Sequence, residues 1–458
     1  MGKTQTNKMG VMPVKKLIIN MSFPIMVSML VQALYNVVDS IFVAQLGENA
    51  LSAVTIAFPL QNLVIAVGAG TGVGTNAILS KSLGEKNFKR ASKTAINSIL
   101  LAIVNSIIFF VIGLTLSHAF IITQTTNPDI ISSGTAYITI VTALSVGVFF
   151  QITFERLLQS TGRTVLSMVT QLSGAILNII LDPIMIFGYF GFPRMGVAGA
   201  ALATVCGQFM GCAMGFYLNH KWNHEIDLDL KQVFHPDFKI IKLIYYIGIP
   251  SILMMSIGSL MTYLLNLILM GFSVTATAVF GIYYKLQSFF FMPVFGLNNG
   301  LIPVLAYNYG ARNKNRIDEA LRFSAILAFV LMLVGTILFE AIPTVFLQMF
   351  HASDKMLELG VKSLRIIAIH FPLAGIGIIL GSTFQAFGKS FYSLFVALGR
   401  QLIILIPVAY FMSLTGNVNN VWWSFFIAEI ISLILSILFF KKLYREDVEP
   451  LNNDKYIV

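Results

Sequence analysis

Long apolar stretches alternate along the chain with short polar breaks, and each stretch approaches or exceeds the ~20 residues a helix needs to cross hydrocarbon. Twelve can be drawn, at 17–44, 51–80, 94–117, 131–152, 165–188, 196–218, 241–270, 277–307, 318–340, 357–384, 392–413 and 420–440. In lipid every crossing must satisfy its own backbone, so runs of this length predict helices rather than barrel strands. The pattern is broken from within at a few places. In "ILNIILDPIMIFG", Ile176 to Gly188, an aspartate followed by a proline sits in an otherwise greasy run, and the only strongly polar helical neighbour of Asp182 is Asn178.

Composition agrees with the pattern. The 458 residues are 57% hydrophobic and only 11% charged, where soluble domains carry about 25% charged residues. Mean hydropathy is +0.82. The expectation is an integral, multi-pass membrane protein. No cleavable signal peptide is expected, because the N-terminus is polar and the first apolar run is too long and lacks a small-residue cleavage site. Cys206 and Cys212 share the sixth run but lie off one helical face, which favours packing over a disulfide or metal role.

The net charge of +10 would suggest a nucleic-acid partner in a soluble protein; here the placement of the cations matters more. Lys3, Lys8, Lys15 and Lys16 crowd the N-terminus, and Lys81, Lys86, Lys89, Arg90 and Lys93 the second loop. Lys221, Lys231, Lys239 and Lys242 occupy the central linker, Arg312, Lys314 and Arg316 the eighth loop, and Lys441, Lys442 and Arg445 follow the last run. The loops between are nearly bare, Arg194 and Lys355 excepted. By the positive-inside rule both termini are expected in the cytoplasm, and an even number of crossings agrees in placing them on one side.

One ungapped offset lays Pro24 on Pro250, Gln61 on Gln287, Gly70 on Gly296, Gly74 on Gly300 and Gly84 on Gly310. At the same offset Asn87, Arg90, Gly134, Gln159 and Gly162 fall on Asn313, Arg316, Gly360, Gln385 and Gly388. That is a repeat. Six crossings per copy make the halves parallel, related by an axis along the membrane normal, as in some secondary transporters with a substrate path between the halves. The fold expected is an all-α membrane protein of twelve helices in two pseudo-symmetric six-helix bundles. Its parts are an N-lobe at 15–219, a cytoplasmic linker at 220–239, a C-lobe at 240–442, and cytoplasmic tails at 1–14 and 443–458. The linker histidines, His220, His224 and His235, have the irregular spacing of a solvated connector rather than of metal ligands.

The copies differ where acids occur. Asp39 aligns with Leu265, Asn178 with Ile404 and Asp182 with Val408, so the carboxylates belong to the first half. Each aspartate sits about five residues, roughly 8 Å, before the outer end of its helix. Tyr137 and Thr204, on helices running the other way, fall at a similar depth. Asn178 and Asp182 share a face at i, i+4, and Tyr35, Asn36 and Asp39 share another. If these faces meet, the two carboxylates would hold a proton or a small cation between them. Pro183 cannot donate a hydrogen bond to Ile179, which frees that carbonyl and lets the helix bend. The plainer alternative is a carboxylate reaching the outer interface or pairing structurally.

Further polar groups carry open readings. Lys285 faces either a central cavity or a partner within its bundle. Tyr283, Phe150, Phe154, Met255 and Phe289 either line a cavity for flat apolar cations or face lipid and neighbouring helices. His370, Glu340 and Glu429 are expected in packing or interfacial positions, Glu155 and Arg156 at the cytoplasmic interface, and Arg400 at the cytoplasmic headgroups.

"FPIMVSMLVQALYNVVDSIFVAQLG" in the first run, "LLQSTGR" after the fourth, "LNIILDPIMIFG" in the fifth and "MGVAGAALATV" opening the sixth resemble the multidrug and toxic compound extrusion (MATE) family, in its bacterial multidrug-export branch. The likeness covers about Lys15 to Lys442. It implies a secondary-active antiporter, not an enzyme, that expels amphipathic, mostly cationic drugs or dyes in exchange for H⁺ or Na⁺. It also implies a monomer in the bacterial plasma membrane, in contact with lipid, with no cofactor and no nucleic-acid partner. Family members with the first-helix aspartate and the fifth-helix Asn-x-x-x-Asp pattern use them for coupling, which points to Asp39, Asn178 and Asp182, with Asn36 and Tyr35 beside them. A fourth-helix tyrosine and a sixth-helix threonine resemble Tyr137 and Thr204, and a first-helix proline implicated in bending resembles Pro24. Any metal ion would be Na⁺ at Asp39 and Asp182. The seventh and tenth helices, which carry acidic cation ligands in some relatives, offer Tyr263, Asn266 and His370 without a carboxylate.

Two other functions compete. A lipid-linked saccharide flippase of the same superfamily would want a cationic cavity for pyrophosphate, where this sequence offers Lys285. An intramembrane aspartyl protease could pair Asp39 with Asp182, but it needs no twofold repeat, and the fifth run lacks Gly-x-Gly-Asp. Neither a phosphate loop nor a zinc signature is present.

Overall fold

A computed structural model describes residues 7–350 and 353–451; Lys3 and the outer parts of both expected tails lie outside them. Among the described residues there are helices and no strand. Ten helices are long and apolar enough to cross a membrane, and two bent pairs bring the number to twelve if each pair is one span. In chain order the first six are α1 (Val14–Ala44), α2 (Glu48–Gly84), α3 (Phe88–Thr115), α4 (Pro128–Ala143 with Val146–Ser160), α5 (Thr164–Phe187) and α6 (Val197–Trp222). They are followed by α7 (Phe238–Met270), α8 (Val274–Gly310), α9 (Lys314–Ala341), α10 (Asp354–Ala368 with Phe371–Ala386), α11 (Ser390–Ser413) and α12 (Val418–Val448). The bends in α4 and α10 are 44° and 45°.

The repeat read from glycines and prolines is a repeat of structure. At the same offset α2 and α8, α3 and α9, and α5 and α11 start and stop together. So do two short helices, Ser117–Ile122 and Pro343–Gln348, that precede the bent spans. The shared identities have local causes. Asn87 and Asn313 are N-caps whose side chains accept from the N–H groups of Arg90 and Arg316, satisfying donors that a helix start leaves free. Gly162 and Gly388, just past α4 and α10, take φ of 85° and 78°, a region that L side chains avoid.

The chain divides into two compact units, residues 27–249 and residues 1–26 with 250–458. Drawn through the linker, the division would have been 15–219 and 240–442. The compact units instead each contain one end of α1 and one end of α7, and the changeover falls beside Pro24 and at Pro250. Glycines explain why. In the unit of residues 27–249, a Cβ on Gly74 of α2 would collide with the backbone carbonyl of Ile244 at the start of α7. Ile240, Ile244 and Ile247 are buried there against Val73, Ala77, Ile78 and Leu101. In the other unit, the start of α1 runs so close to α8 that a Cβ on Gly300 would lie 2.8 Å from Cα of Ser22. The Arg316 guanidinium holds the same segment, donating to the carbonyls of Met9 at 3.0 Å and Met12 at 2.7 Å.

The linker is not a free connector. The Asp237 N–H donates to Asn97 Oδ1 at 3.0 Å, its carboxylate lies 3.5 Å from Lys93, and the Asp227 N–H donates to Ser92 Oγ at 2.9 Å. All three anchors are on α3. In the other unit Lys389, ahead of α11, sits 2.6 Å from Asp447 and 2.9 Å from Glu446. Partial burial disfavours its charge, but the two carboxylates outweigh that and push its pKa up to about 12.

Replacing Gly74 by Ala forces α2 away from Ile244 and is expected to cost about 1–3 kcal/mol, the range for overpacking a tight contact. Gly281→Ala, at a position with nothing within 4 Å of the added methyl, should change stability by no more than about 1 kcal/mol. Thermal unfolding of the purified protein in detergent measures both, and equal midpoints for the two variants would contradict the packing described.

Candidate functional site

The polar residues singled out in the first half all lie in the unit of residues 27–249. Here α5 and α6 touch along their length because neither backbone carries a side chain at the crossing. A Cβ on Gly174 would stand 2.6 Å from the Gly207 carbonyl, and one on Gly207 would stand 2.7 Å from the Gly174 carbonyl. The connection is drawn in by hydrogen bonds from the Met195 and Gly196 N–H groups to the Met185 and Ile186 carbonyls, at 3.0 and 3.1 Å.

This contact brings Asn178 against α6. Its Nδ2 donates to Thr204 Oγ1 at 3.4 Å and, one turn along α5, to Asp182 Oδ1 at 3.3 Å. Asp182 is fully buried, and Asn178, Thr204 and Tyr137 nearly so. Asp39 on α1 is partly buried and lies within electrostatic reach of Asp182, Tyr35 and Tyr137. Gln171 Nε2 donates to Gln32 Oε1 at 2.9 Å, which ties α5 to α1 two turns away, and the Tyr137 hydroxyl donates to Gln61 Oε1 at 3.2 Å, which ties α4 to α2.

Acceptors outnumber donors in this cluster. Asp39 Oδ1, Asp182 Oδ2 and Asn178 Oδ1 are all buried and receive no hydrogen bond. A buried acceptor without a donor costs about 1–3 kcal/mol, so three together mark a place that would gain from a proton or a small cation. Pro183 adds to the excess, since it has no N–H to offer the Ile179 carbonyl. Among the described residues no three His, Cys, Asp or Glu side chains group as metal ligands.

Asn36 stands apart from the cluster: it is exposed, and its carbonyl accepts from Ser40 Oγ at 2.8 Å. Of the aromatic and cationic candidates, Phe154 is buried against Phe150 and Phe216, with ring centroids 5.9 and 5.8 Å away. Lys285, Met255 and Phe289 are exposed. Tyr283 is buried, and its hydroxyl donates to Gln287 Oε1 at 2.6 Å. Glu155 and Arg156 lie inside the unit rather than at its edge: Gln151 donates to Glu155 Oε1 at 3.0 Å, and Arg156 donates to Gln159 Oε1 at 3.0 Å while packing against Gly72.

Arg400, expected at the cytoplasmic headgroups, occupies an interior place, and Glu429, expected in a packing or interfacial position, is buried beside it. Arg400 of α11 pairs with Glu429 of α12 at 3.4 Å. The repeat offset lays them on Gly174 and Ala203, at the α5–α6 crossing. That alignment was the signal, because a charge standing where the other half needs a glycine faces a neighbouring helix.

A twofold repeat of membrane-crossing helices, with acidic side chains buried in one half, is an architecture met among membrane transporters. The chain belongs to the MatE family, whose profile matches it twice, over residues 24–184 and 250–411. It is similar to the multidrug export protein MepA of Staphylococcus aureus (strain MRSA252), with 26% identity over 93% of each chain. MepA of Staphylococcus haemolyticus (strain JCSC1435) is also 26% identical, over 92% of each chain. Among solved structures, a MATE in complex with MaL6 matches with a TM-score of 0.89 at 25% identity, covering 96% of this chain and 98% of its own. The outward-facing conformation of a multidrug resistance MATE family transporter matches in fold with a TM-score of 0.90 at 24% identity and the same coverage. The protein is a multi-pass membrane transporter and not an enzyme, which sets aside the protease alternative.

Asn178→Ala deprives both Asp182 and Thr204 of their shared donor and is expected to cost about 1–3 kcal/mol. Asn36→Ala, at an exposed position, should stay within about 0.5 kcal/mol. Comparing thermal midpoints tests the division, and a loss at Asn36 as large as at Asn178 would place Asn36 in the cluster after all.

Proposed function

We propose that the protein is a secondary-active multidrug exporter, exchanging amphipathic, mostly cationic compounds for H⁺ or Na⁺ by alternating access. The observation that carries the reading is the trio of unpartnered buried acceptors on Asp39, Asp182 and Asn178, confined to one half of a repeated fold. The names of the similar proteins, multidrug export proteins, support the cargo class.

In this reading the site is a switchable charge. Empty, it holds excess negative charge in apolar surroundings; a proton or Na⁺ from outside neutralises it and lets Asp39 draw towards Asp182, which moves the outer part of α1 relative to α5. The movement hinges near Pro24, where α1 lacks a backbone hydrogen bond. Cation and drug each change the other's affinity by the same factor, and a tenfold factor corresponds to about 1.4 kcal/mol. Tyr35, Tyr137 and Thr204 set the pocket's shape around the carboxylates, and Asn36, exposed on α1, lies outside the set. Flat aromatic cargo would meet Lys285, Tyr283, Phe150, Phe154, Met255 and Phe289 on its route. The basic loops support an orientation with both termini cytoplasmic; in this reading the protein works in the plasma membrane as a monomer without a cofactor.

Proteoliposomes loaded with a fluorescent cationic dye, given a pH gradient or a Na⁺ gradient separately, test this. One gradient should drive dye movement, and Asp182→Asn should reduce that movement at least tenfold while the protein elutes as a folded monomer. Driven transport at the original rate in Asp182→Asn rejects the coupling role.

A further inference from the structure

The unit formed by residues 1–26 and 250–458 contains a cavity of about 220 Å³ whose lining residues all belong to that unit. Aromatic rings form a large part of its wall, among them Phe280, Phe291 and Phe425. Its one ion pair is Arg400 with Glu429, and the two members are unequally placed: the Arg400 side chain is 25% exposed and that of Glu429 4%. The cation therefore faces the space and the anion lies behind it.

Arg400 has donors to spare. A guanidinium carries five N–H groups, and among the described residues its one hydrogen bond is from NH1 to Glu429 Oε2 at 3.4 Å. Glu429 compensates the charge without occupying the fork. The backbone contributes to the placement, because Gly399–Ile404 forms a π-helical turn within α11, a distortion frequent at functional sites. The half-buried Gln401 beside it also lines the cavity, and its Oε1 is buried without a partner. On the opposite wall Gly258 leaves room: a Cβ there would meet only Gln401 Oε1, at 3.7 Å.

We propose that this cavity is a binding site for a small aromatic carboxylate, with Arg400 receiving the carboxylate and the surrounding phenylalanines holding the ring. Guanidinium and carboxylate match as a two-donor fork, and such charge-assisted bonds are about twice as strong as neutral ones. The volume is below the ~300–1,000 Å³ of drug-sized sites, so the fitting ligand is a bicyclic ring or the acidic aromatic end of a larger molecule. The chemistry is opposite to that of the acceptor cluster on α1 and α5, which favours cations. The proposal concerns binding alone and stands whether or not transport is coupled to an ion.

Equilibrium dialysis of the full chain in lipid nanodiscs at neutral pH, against empty nanodiscs, tests it with 1-naphthoate and its uncharged twin 1-naphthamide. Naphthoate should bind at least tenfold more tightly than naphthamide. Arg400→Gln should erase that preference while leaving naphthamide binding in place, Glu429→Gln should keep or increase it, and Gly258→Phe should fill the space and remove both. Should Arg400→Gln alone fail to fold, with Glu429 left uncompensated, the double variant Arg400→Gln/Glu429→Gln keeps the site neutral and must also lack the preference. Equal affinities in the wild type, or a preference for naphthoate that survives removal of Arg400, overturn the proposal.

Discussion

Inside an apolar bundle every donor and acceptor must find a partner from the bundle itself, since neither lipid nor packed side chains can supply one. Many buried groups meet that constraint, although buried side-chain atoms without a partner occur in both halves, at Gln208, Asn223, Gln385 and Gln401 among others. Buried hydroxyls of Thr71, Ser82, Thr94 and Ser106 donate back to carbonyls of their own helices, and Asn219 closes on the carbonyls of Phe154 and Gly215. What distinguishes the acceptors left open on Asp39, Asp182 and Asn178 is that two of the three are carboxylate oxygens with no basic partner, in one unit of the fold. That is the chemical content of the site.

The two halves show how a repeated fold acquires such a place. Most of their helices keep the same boundaries, and α12 differs from α6 only in starting earlier, so the backbone offers the same crossing twice, α5 with α6 and α11 with α12. In the first half Gly174 and Ala203 leave the crossing bare and close, and the polar groups stand one turn further along, at Asn178, Asp182 and Thr204. In the second half Arg400 and Glu429 occupy the crossing itself, where α11 takes a π-helical turn. A glycine contact and an ion pair are alternative solutions for one interface. Only the first leaves carboxylate oxygens without a counter-charge.

Much of this was legible in the sequence. Run lengths located the spans, and the glycine, proline and asparagine identities located the repeat because they reflect caps, positive φ and close backbone approach, which are local. The bends were not legible: 131–152 and 357–384 read as continuous runs, since apolar composition is blind to breaks of 44° and 45°. Asn178, Asp182 and Thr204 could be grouped because helical spacing and depth bring them together. Asn36 was grouped with them by the same spacing yet is exposed; a shared helical face is broad, and its edge cannot be drawn without the neighbouring helix. Glu155, Arg156 and Arg400 were assigned to interfaces on the general cost of burying charge. Each has a partner that offsets the cost; those of Glu155 and Arg156 lie within α4, whereas the pairing of Arg400 with Glu429 crosses helices and depends on tertiary structure.

The lack of symmetry between the halves bears on whether a second cation site is needed. The eighth and tenth helices contribute Tyr283, Gln287 and His370 to the cavity in the second half. The His370 ring nitrogen Nδ1 is engaged by the Ile367 carbonyl, and its ring stacks on Phe425 at 5.7 Å. The one carboxylate there, Glu429, is already matched by Arg400. A cation entering would have to displace a guanidinium from its counter-ion and leave it buried alone, a change that costs about 3–5 kcal/mol when one member of such a pair is removed. In the first half the same cation meets oxygens that nothing else holds. On energetic grounds the proposed coupling therefore belongs to one half, and the other is free to accept a different charge.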